Sequence, residues 1–271
     1  MADELPDNPG AELASKIKSE VPHSARIWNY WMGGKDNYEV DRAAGDAGIA
    51  VYPDIVTMAK QSRQFLIRAV RFLAGDAGIR QFLDIGTGLP TMLNTHEVAQ
   101  QVAPESRIVY VDNDPLVLAH ARALLVSTTP EGVATYIDAD FHHPDLILAE
   151  ARNVLDFAQP IGVMFMGVLG HVAESDDMRS IVARVMDAVP AGSYLVLWDG
   201  TATNNAYVEL CERYTATGGV PYIPRSIEQI GRCFEGLEIV DPGLVSITQW
   251  RPDTTEAEPM DAAYGAVAHK P

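Results

Sequence analysis

The sequence predicts an α/β fold in which helices cover both faces of a mostly parallel sheet. From about residue 54 onward, short apolar runs alternate with helical patterns. These runs are hydrophobic at successive positions, which is typical of strands buried on both faces. A chain of 271 residues, 47% hydrophobic, can form one such domain with an appended segment. We therefore expect an N-terminal extension over residues 1–53 and a doubly wound domain over residues 54–271.

The predicted elements follow in chain order. A short helix is expected in AELASKIKSE, and the first long helix runs from Asp54, its N-cap, to about Ala74, with Gly75 ending it. The strand candidates are QFLDI, RIVYV, VATYI, IGVMFM and SYLVLW. The helices between them are NTHEVAQQVA, PLVLAHARALL, which begins at Pro115, PDLILAEARNVL and DDMRSIVARVMDAV. Two helices, AYVELCERYTA and SIEQIGRCF, and two strands, LVSITQW and AYGAVAH, are expected near the C-terminus.

Composition restricts the partners that this chain is expected to have. It carries 20 Lys and Arg against 37 Asp and Glu, a net charge of −17, so nucleic acid is not expected as a partner. No apolar run reaches the roughly 20 residues that span a bilayer, and no export signal is visible at the start. Cys211 and Cys233 form no metal-type cluster, and we expect no metal. A cytoplasmic protein that acts on a small molecule is the resulting prediction.

The stretch FLDIGTGLP carries the main functional signal. Two glycines, Gly86 and Gly88, follow a predicted strand, as in turns that bring the backbone close to a nucleotide. Asp84 would place a negative charge beside any pyrophosphate bound at the following helix, which is unfavourable. The third glycine of the dinucleotide fingerprint is also missing, since Thr91 stands there. The turn therefore favours a cofactor with positive charge and no phosphate, such as S-adenosylmethionine.

Acidic residues also end the next two predicted strands. Asp112, followed by Asn113, ends RIVYV at about the distance from the glycines where ribose hydroxyls are held. Asp140 and Phe141 follow VATYI, where an acid can accept a hydrogen bond from the adenine amino group and a ring can pack on its face. We interpret these residues, with Asp84, as a nucleoside site; simple turn acids are the alternative.

These motifs give the chain a resemblance to a known family. It resembles class I S-adenosylmethionine-dependent methyltransferases and, more narrowly, the bacterial S-adenosyl methyltransferase family formerly known as a domain of unknown function. The marks are SARIWNYWMGGKDNYEVDR, FLDIGTGLPT with NTHEVAQ, VYVDNDP, GVLGHV, GSYLVLWDG and GLEIVDPGLVSITQWRPD. The resemblance implies a Rossmann-like sheet of seven strands with the last antiparallel. It also implies S-adenosylmethionine, with Asp84, Gly86 and Gly88 at its methionine end, Asp112 at the ribose, and Asp140 with Phe141 at the adenine.

The N-terminal stretch IWNYWMGGKDNY is interpreted as a lid rich in aromatic residues. Gly33 and Gly34 would hinge it over the cofactor, and its rings, including Trp31 at the acceptor, would wall the pocket and exclude water; these rings are Trp28, Tyr30, Trp31 and Tyr38. A flap held to the core by its rings is the alternative. Arg26, Lys35 and Asn37 could hold the cofactor carboxylate or fix the lid.

Catalytic candidates lie after the fourth and fifth strands. In MGVLGHV, Gly167 is expected to contact the cofactor and His171 to act as general base, since its ordinary pKa of about 6.5 suits proton removal near neutrality. Tyr30 is a weaker rival for that role. Trp198 in VLWDG is placed at the acceptor or, equally, in the core. The motif NTHEVAQ begins like a zinc-protease helix with His96, but Gln100 stands where such a helix has its second histidine. No zinc site is therefore expected there.

The predicted reaction is methyl transfer from S-adenosylmethionine to a small acceptor, with an indole or similar aromatic compound of secondary metabolism as the specific expectation. A cofactor-binding protein without catalysis, acting as a sensor or partner subunit, is the alternative from another class. A nicotinamide-dependent oxidoreductase is disfavoured by Asp84 and the missing third glycine.

Overall fold

The computed structural model describes residues 18–90, 93–117, 119, 126–254 and 258–271. Its helices are α1 (Ser24–Trp31), α2 (Glu39–Val51), α3 (Ile55–Gly75), α4 (Thr95–Val102), α5 (Pro144–Ala151), α6 (Ser175–Ala188), α7 (Asn205–Ala216) and α8 (Ile227–Gly231). Its strands are β1 (Gln81–Ile85), β2 (Arg107–Asp112), β3 (Val133–Asp138), β4 (Gly162–Met166), β5 (Tyr194–Gly200), β6 (Glu238–Ile239), β7 (Val245–Ser246) and β8 (Ala263–His269). Short 3-10 turns cover Leu169–His171 and Arg232–Phe234.

The strands form one sheet in the order β3-β2-β1-β4-β5-β8-β6, and β7 pairs with β8 beside this path. Strands β1 to β5 pair in parallel, whereas β8 runs antiparallel to β5. The predicted doubly wound fold with an antiparallel last long strand is therefore confirmed, but the described sheet has eight strands rather than the expected seven, because it also includes the two-residue strands β6 and β7. Because the chain order reverses beside β1, the carboxyl ends of β1 and β4 flank the switch point where such sheets bind ligands.

Alternate residues of each central strand belong to two different hydrophobic cores. On β1, Phe82 packs with α3 and α4, whereas Leu83 and Ile85 pack with α5 and α6 on the opposite face. This alternation explains why the strands are apolar at successive positions. It also directs the side chain of Asp84 toward the face that α3 and α4 cover.

Several boundaries differ from the sequence predictions. Gly75 is the last residue of α3 rather than the residue after it, and Asp54 makes no side-chain cap bond. The predicted strand LVSITQW is reduced to the two residues of β7, and the equally short β6 was not predicted. Most of the helix expected in AELASKIKSE and most of the helix expected from Pro115 lie outside the described residues.

The N-terminal segment is held to the domain by a buried ion pair. Arg26, 3% exposed, contacts the fully buried Asp41 at 3.1 Å. Asp41 also accepts hydrogen bonds from the backbone amides of His23 and Tyr38. The carboxylate thereby joins the start of α1 to the start of α2, whereas Ile27 and Trp31 pack in the same core as α3. Arg26 thus fixes this segment.

The substitution Asp41→Ala is expected to lower the free energy of unfolding by about 3–5 kcal/mol, because it leaves Arg26 buried without its counter-charge. Glu39→Ala, an exposed change in the same helical turn, serves as the control and is expected to cost less than about 1 kcal/mol. Urea denaturation of both variants measures the difference. Equal stability of the two variants would contradict this role of Asp41.

Candidate functional site

A cleft lies at the carboxyl edge of the sheet, beside the ends of β1, β2, β4 and β5. It collects residues from eight segments of the chain, including the N-terminal helix. Its lining comprises His23, Ser24, Ala25, Trp28, Met32, Ser62, Arg63, Leu66, Asp84, Gly86, Thr87, Gly88, Leu89, Val111, Asp112, Asn113, Ala139, Asp140, Phe141, His142, Met166, Gly167, Val168, His171, Trp198 and Val220.

The two glycines of the turn after β1 have backbone conformations that side chains disfavour. Gly86 has φ 75°, and a Cβ atom there would lie 2.4 Å from the Cγ2 atom of Val168. Gly88 has φ 68°, and a Cβ atom there would meet no described atom within 4 Å. Gly86 is therefore required by packing, whereas Gly88 leaves space in the cleft next to the backbone.

Asp84 is almost completely buried where the cleft meets α4. Only 2% of it is exposed, and its Oδ2 atom accepts a hydrogen bond of 2.7 Å from the hydroxyl of Thr95. Burial raises the pKa of Asp84 to about 6, although the bond from Thr95 and the nearby Arg63 act in the opposite direction. A group with positive charge in the cleft would stabilise the ionised carboxylate, whereas a phosphate would destabilise it.

Arg63 was not singled out from the sequence. It lies on α3, is partly exposed and lines the cleft close to Asp84. Burial lowers the pKa of its guanidinium, with Asp84 the largest opposing influence. A guanidinium cation can bind a carboxylate. The methionine end of a cofactor would therefore find the Asp84 carboxylate for its ammonium group and the Arg63 guanidinium for its own carboxylate. Helical periodicity alone does not indicate which arginine of α3 faces this cleft.

Asp112 connects the glycine turn to the end of β2. Its Oδ2 atom accepts a hydrogen bond of 2.7 Å from the amide of Gly88, and its Oδ1 atom accepts from the amides of Asn113 and Asp114. Burial raises the pKa of Asp112, and the amides of Asp114 and Gly88 oppose this shift. The carboxylate is thus held in one orientation at the cleft, as a bidentate acceptor for two hydroxyl groups requires.

Asp140 and Phe141 border the cleft after β3. Asp140 accepts hydrogen bonds from the amide and from Nδ1 of His142, at 2.9 and 2.7 Å. The ring of Phe141 stacks on that of His142, with centroids 4.3 Å apart. His142 was expected to be a solvated loop residue; it is exposed, but it also lines the cleft. These residues form a flat wall suited to a purine base.

The turn after β4 brings His171 to the cleft. Its Nδ1 atom lies 2.8 Å from the carbonyl oxygen of Pro221, and its ring meets the ring of Tyr222 edge-on. A carbonyl only accepts, so Nδ1 carries the proton and Nε2 holds the lone pair in the neutral ring. Burial lowers the pKa of His171 below 6.5, although the bond to Pro221 acts in the opposite direction. The ring is therefore neutral at pH 7, as a general base must be.

Gly167 and Trp198 meet at the inner end of the cleft. Gly167 has φ 74°, and a Cβ atom there would lie 2.4 Å from the indole of Trp198. Trp198 is 3% exposed, yet it lines the cleft and packs edge-on against Trp28, with ring centroids 5.8 Å apart. Trp198 therefore belongs both to the core and to the wall of the cleft.

The N-terminal helix α1 forms another wall of the cleft, but only one of its aromatic residues takes part. Trp28 and Met32 line it, whereas Tyr30 and Trp31 do not. Trp31 is 7% exposed and donates to the carbonyl of Gly45, and the Tyr30 hydroxyl donates to Asp46. In a helix, neighbouring residues point in different directions, so only one side of the aromatic stretch faces the cleft. Tyr30 is therefore removed from the catalytic candidates and Trp31 from the acceptor site.

Gly33 and Gly34 also lie outside the lining of the cleft. They form the turn after α1, where Gly33 has φ 83° and a Cβ atom on Gly34 would lie 2.4 Å from the Asn29 side chain. Asn37 donates to the Oδ1 atom of Asn29 and to the carbonyl of Gly34, so it fixes this turn. The role that the structure shows for these glycines is in the turn itself, and their predicted contact with the cofactor stays a prediction.

His23 is a second residue that sequence reasoning missed. It precedes α1 and lines the cleft, and its Nδ1 atom lies 2.9 Å from Oδ2 of Asp114, two residues beyond Asp112. This contact links the N-terminal segment directly to the loop that follows β2. The motif VYVDNDP shows both acids, but nothing in the sequence assigns a histidine partner to the second.

The cleft fits the cofactor that the resemblance implies. Carboxylates at the ends of β1 and β2 suit an ammonium group and ribose hydroxyls, Phe141 suits adenine, and the space beside Gly88 allows close approach.

Among the described residues, no group of three or more His, Cys, Asp and Glu side chains could hold a metal ion. In the same described part of the chain, no helix has the length and apolarity needed to cross a bilayer.

The substitution Asp84→Asn is expected to stabilise the protein at pH 7. In the wild type, the folded protein binds the Asp84 proton more tightly than the unfolded chain does, because burial raises the pKa of Asp84 to about 6. The protonated Asp84 therefore contributes stability that is present below about pH 4 and is lost as pH rises through about 6. Asparagine removes the cost of the buried charge, about 3 kcal/mol at pH 7 at most, and the advantage should shrink toward pH 4. Urea denaturation at both pH values measures it. Asp187→Asn, at an exposed position of α6, is the control, and a difference independent of pH would contradict the account.

Comparisons with known proteins agree with this geometry. The sequence profile of the S-adenosyl methyltransferase family matches residues 10–271. A DUF574 family protein from Streptomyces avermitilis has a similar structure, with a TM-score of 0.89 and 44% identity over 93% of this chain and 99% of that one. A candidate methyltransferase from Thermobifida fusca gives a TM-score of 0.84 and 38% identity over 97% and 98% of the two chains. No curated protein matches the chain. The chain belongs to the S-adenosyl methyltransferase family, and it is a methyltransferase with S-adenosylmethionine as its cofactor.

Proposed function

We propose that this protein methylates a small, flat and partly apolar acceptor that binds against the wall formed by Trp28 and Trp198, with His171 beside the atom that is methylated. The observation that carries the proposal is the meeting of these three residues in one cleft with the cofactor-binding acids. Two indole rings provide apolar area for an aromatic acceptor, and edge-to-face contacts favour ring-shaped ligands. An indole-like compound of secondary metabolism fits these walls.

The size and charge of the surroundings favour a small acceptor over a macromolecule. The chain has a net charge of −17, which disfavours nucleic acid. One side of the cleft is covered by α1, which the buried pair Arg26–Asp41 fastens in place. A covered cleft excludes water from the reacting groups and admits molecules of limited size.

In this reaction the protein has to align the acceptor with the methyl group and, where necessary, remove a proton from the acceptor. S-adenosylmethionine supplies an activated methyl group, whose bond to sulfur breaks as the bond to the acceptor forms. Trp28 and Trp198 would orient the acceptor for in-line displacement, and their electron-rich rings suit a neighbouring sulfonium. His171 would take the acceptor proton on Nε2 where the acceptor must lose one.

Transfer of tritium from labelled S-adenosylmethionine into a metabolite extract tests this function. The account expects a labelled product that passes a small-molecule filter and contains an aromatic ring. Label found only in protein or nucleic acid would contradict the small acceptor, and no incorporation across broad extracts would favour a cofactor-binding role without catalysis.

The substitution His171→Gln is expected to lower methyl transfer at pH 7 by about 10²–10⁴-fold, the usual contribution of a general base. Cofactor affinity should stay within about threefold, because glutamine preserves the polar end of the side chain. His143→Gln, at an exposed position outside the cleft lining, is the matched control and should retain activity. Tritium incorporation and calorimetry on both variants give the two readouts, and full activity of the first variant would exclude His171 as the base.

A further inference from the structure

The loop between α7 and α8 lies across the turn that carries His171. The carbonyl of Pro221 accepts from His171 Nδ1 at 2.8 Å, and the amide of Ile223 donates to the carbonyl of Gly170 at 2.7 Å. These two bonds stand on either side of Tyr222. The orientation of the imidazole therefore depends on where this loop is held.

Tyr222 holds the loop through a buried carboxylate. Its hydroxyl donates to Oδ1 of Asp199, which is fully buried at the end of β5, and the amide of Gly200 donates to the same oxygen at 2.8 Å. The ring lies directly against Gly170, where a Cβ atom would come within 2.4 Å of it. Its edge faces the ring of His171 at a centroid distance of 5.1 Å. Asp199, Tyr222 and His171 thus form a continuous series of contacts from the sheet to the cleft.

We propose that Asp199 and Tyr222 are positioning residues that hold His171 with its proton on Nδ1, so that Nε2 faces the reaction. This inference rests on the role of His171 proposed above. A carboxylate can only accept, so an ionised Asp199 fixes the direction of the Tyr222 hydroxyl. The anchored loop presents the Pro221 carbonyl to Nδ1, and that carbonyl selects the tautomer. Without the anchor, a neutral imidazole can exchange between both tautomers.

The loop has further attachments that should keep the variants folded. The Arg225 guanidinium donates to the carbonyl of Ala173 at 2.9 Å, and the Arg225 amide donates to the carbonyl of Gly200 at 3.0 Å. Removing the Tyr222 hydroxyl would therefore loosen the contact with His171 without releasing the whole loop. Tyr222→Phe keeps the ring against Gly170, and Asp199→Asn keeps the shape of the acid.

Nitrogen-15 NMR of the histidine side chains tests the inference without any acceptor. The protein has seven histidines, and the loss of one signal in His171→Gln assigns His171. The wild type is expected to show a protonated Nδ1 and an unprotonated Nε2 at pH 7. In Tyr222→Phe and Asp199→Asn the signal should move to a mixture of tautomers. Tyr136→Phe, which removes a tyrosine hydroxyl on β3, is the matched control and should leave it unchanged.

An unchanged His171 tautomer in both folded variants would overturn the positioning role, as would a wild-type ring protonated on Nε2. If one variant fails to fold, the other decides. In the tritium assay, both variants should lose about tenfold or more of the methyl transfer and show an altered pH profile, with cofactor affinity unchanged. The expected tautomer shift with full activity of His171→Gln would refute His171 as the base while leaving the positioning intact.

Discussion

Parallel strands place their carboxyl ends at one edge of the sheet, and in this protein an aspartate lies at or just beyond three of those ends. Asp84, Asp112 and Asp140 consequently border one cleft although they are far apart in sequence. Burial makes the negative charge costly at Asp84, whose pKa rises to about 6, and at Asp112, whose pKa is also raised. A ligand that brings positive charge and hydroxyl groups offsets that cost, and a diphosphate would increase it. Selection of the cofactor thus follows from the position of carboxylates on the sheet.

The N-terminal segment completes the cleft, and carboxylates organise it as well. Asp41 fastens the start of α1 to α2 through Arg26, and Asp114 binds His23 at the loop beyond β2. These two contacts hold α1 where Trp28 packs edge-on against Trp198. The N-terminal segment is therefore fastened both to α2 and to the loop that follows β2.

The sequence predicts much of the fold, because strand burial and helical periodicity are local properties. The five parallel strands and most helices lie within one to four residues of their predicted ends. It also indicates the residues that end strands, since Asp84, Asp112, Asp140 and Phe141 all reach the cleft. The short β6 and β7 depend on pairing with β8 and carry little local signal of their own.

Side-chain direction on the N-terminal helix is what the sequence did not reveal. Trp28, Tyr30 and Trp31 have similar chemistry and differ only in which side of α1 they occupy. Packing against α3 and α7 decides that only Trp28 reaches the cleft. Arg63 and His23 were missed for a related reason, since their partners Asp84 and Asp114 lie in other segments of the chain. Gly33 and Gly34 form a local turn outside the cleft lining, which the sequence pattern alone does not distinguish from a hinge over the cofactor.

Calorimetric titration of S-adenosylmethionine at several pH values, in the wild type and in Asp84→Asn, tests the central claim most directly. An ionised Asp84 is expected to favour the cationic cofactor. Wild-type affinity should therefore fall as pH drops below about 6, by at most about tenfold per unit, and Asp84→Asn should bind more weakly at pH 7 with a flatter profile. Equal affinity of the two proteins at pH 7, with the same pH dependence, would contradict the account.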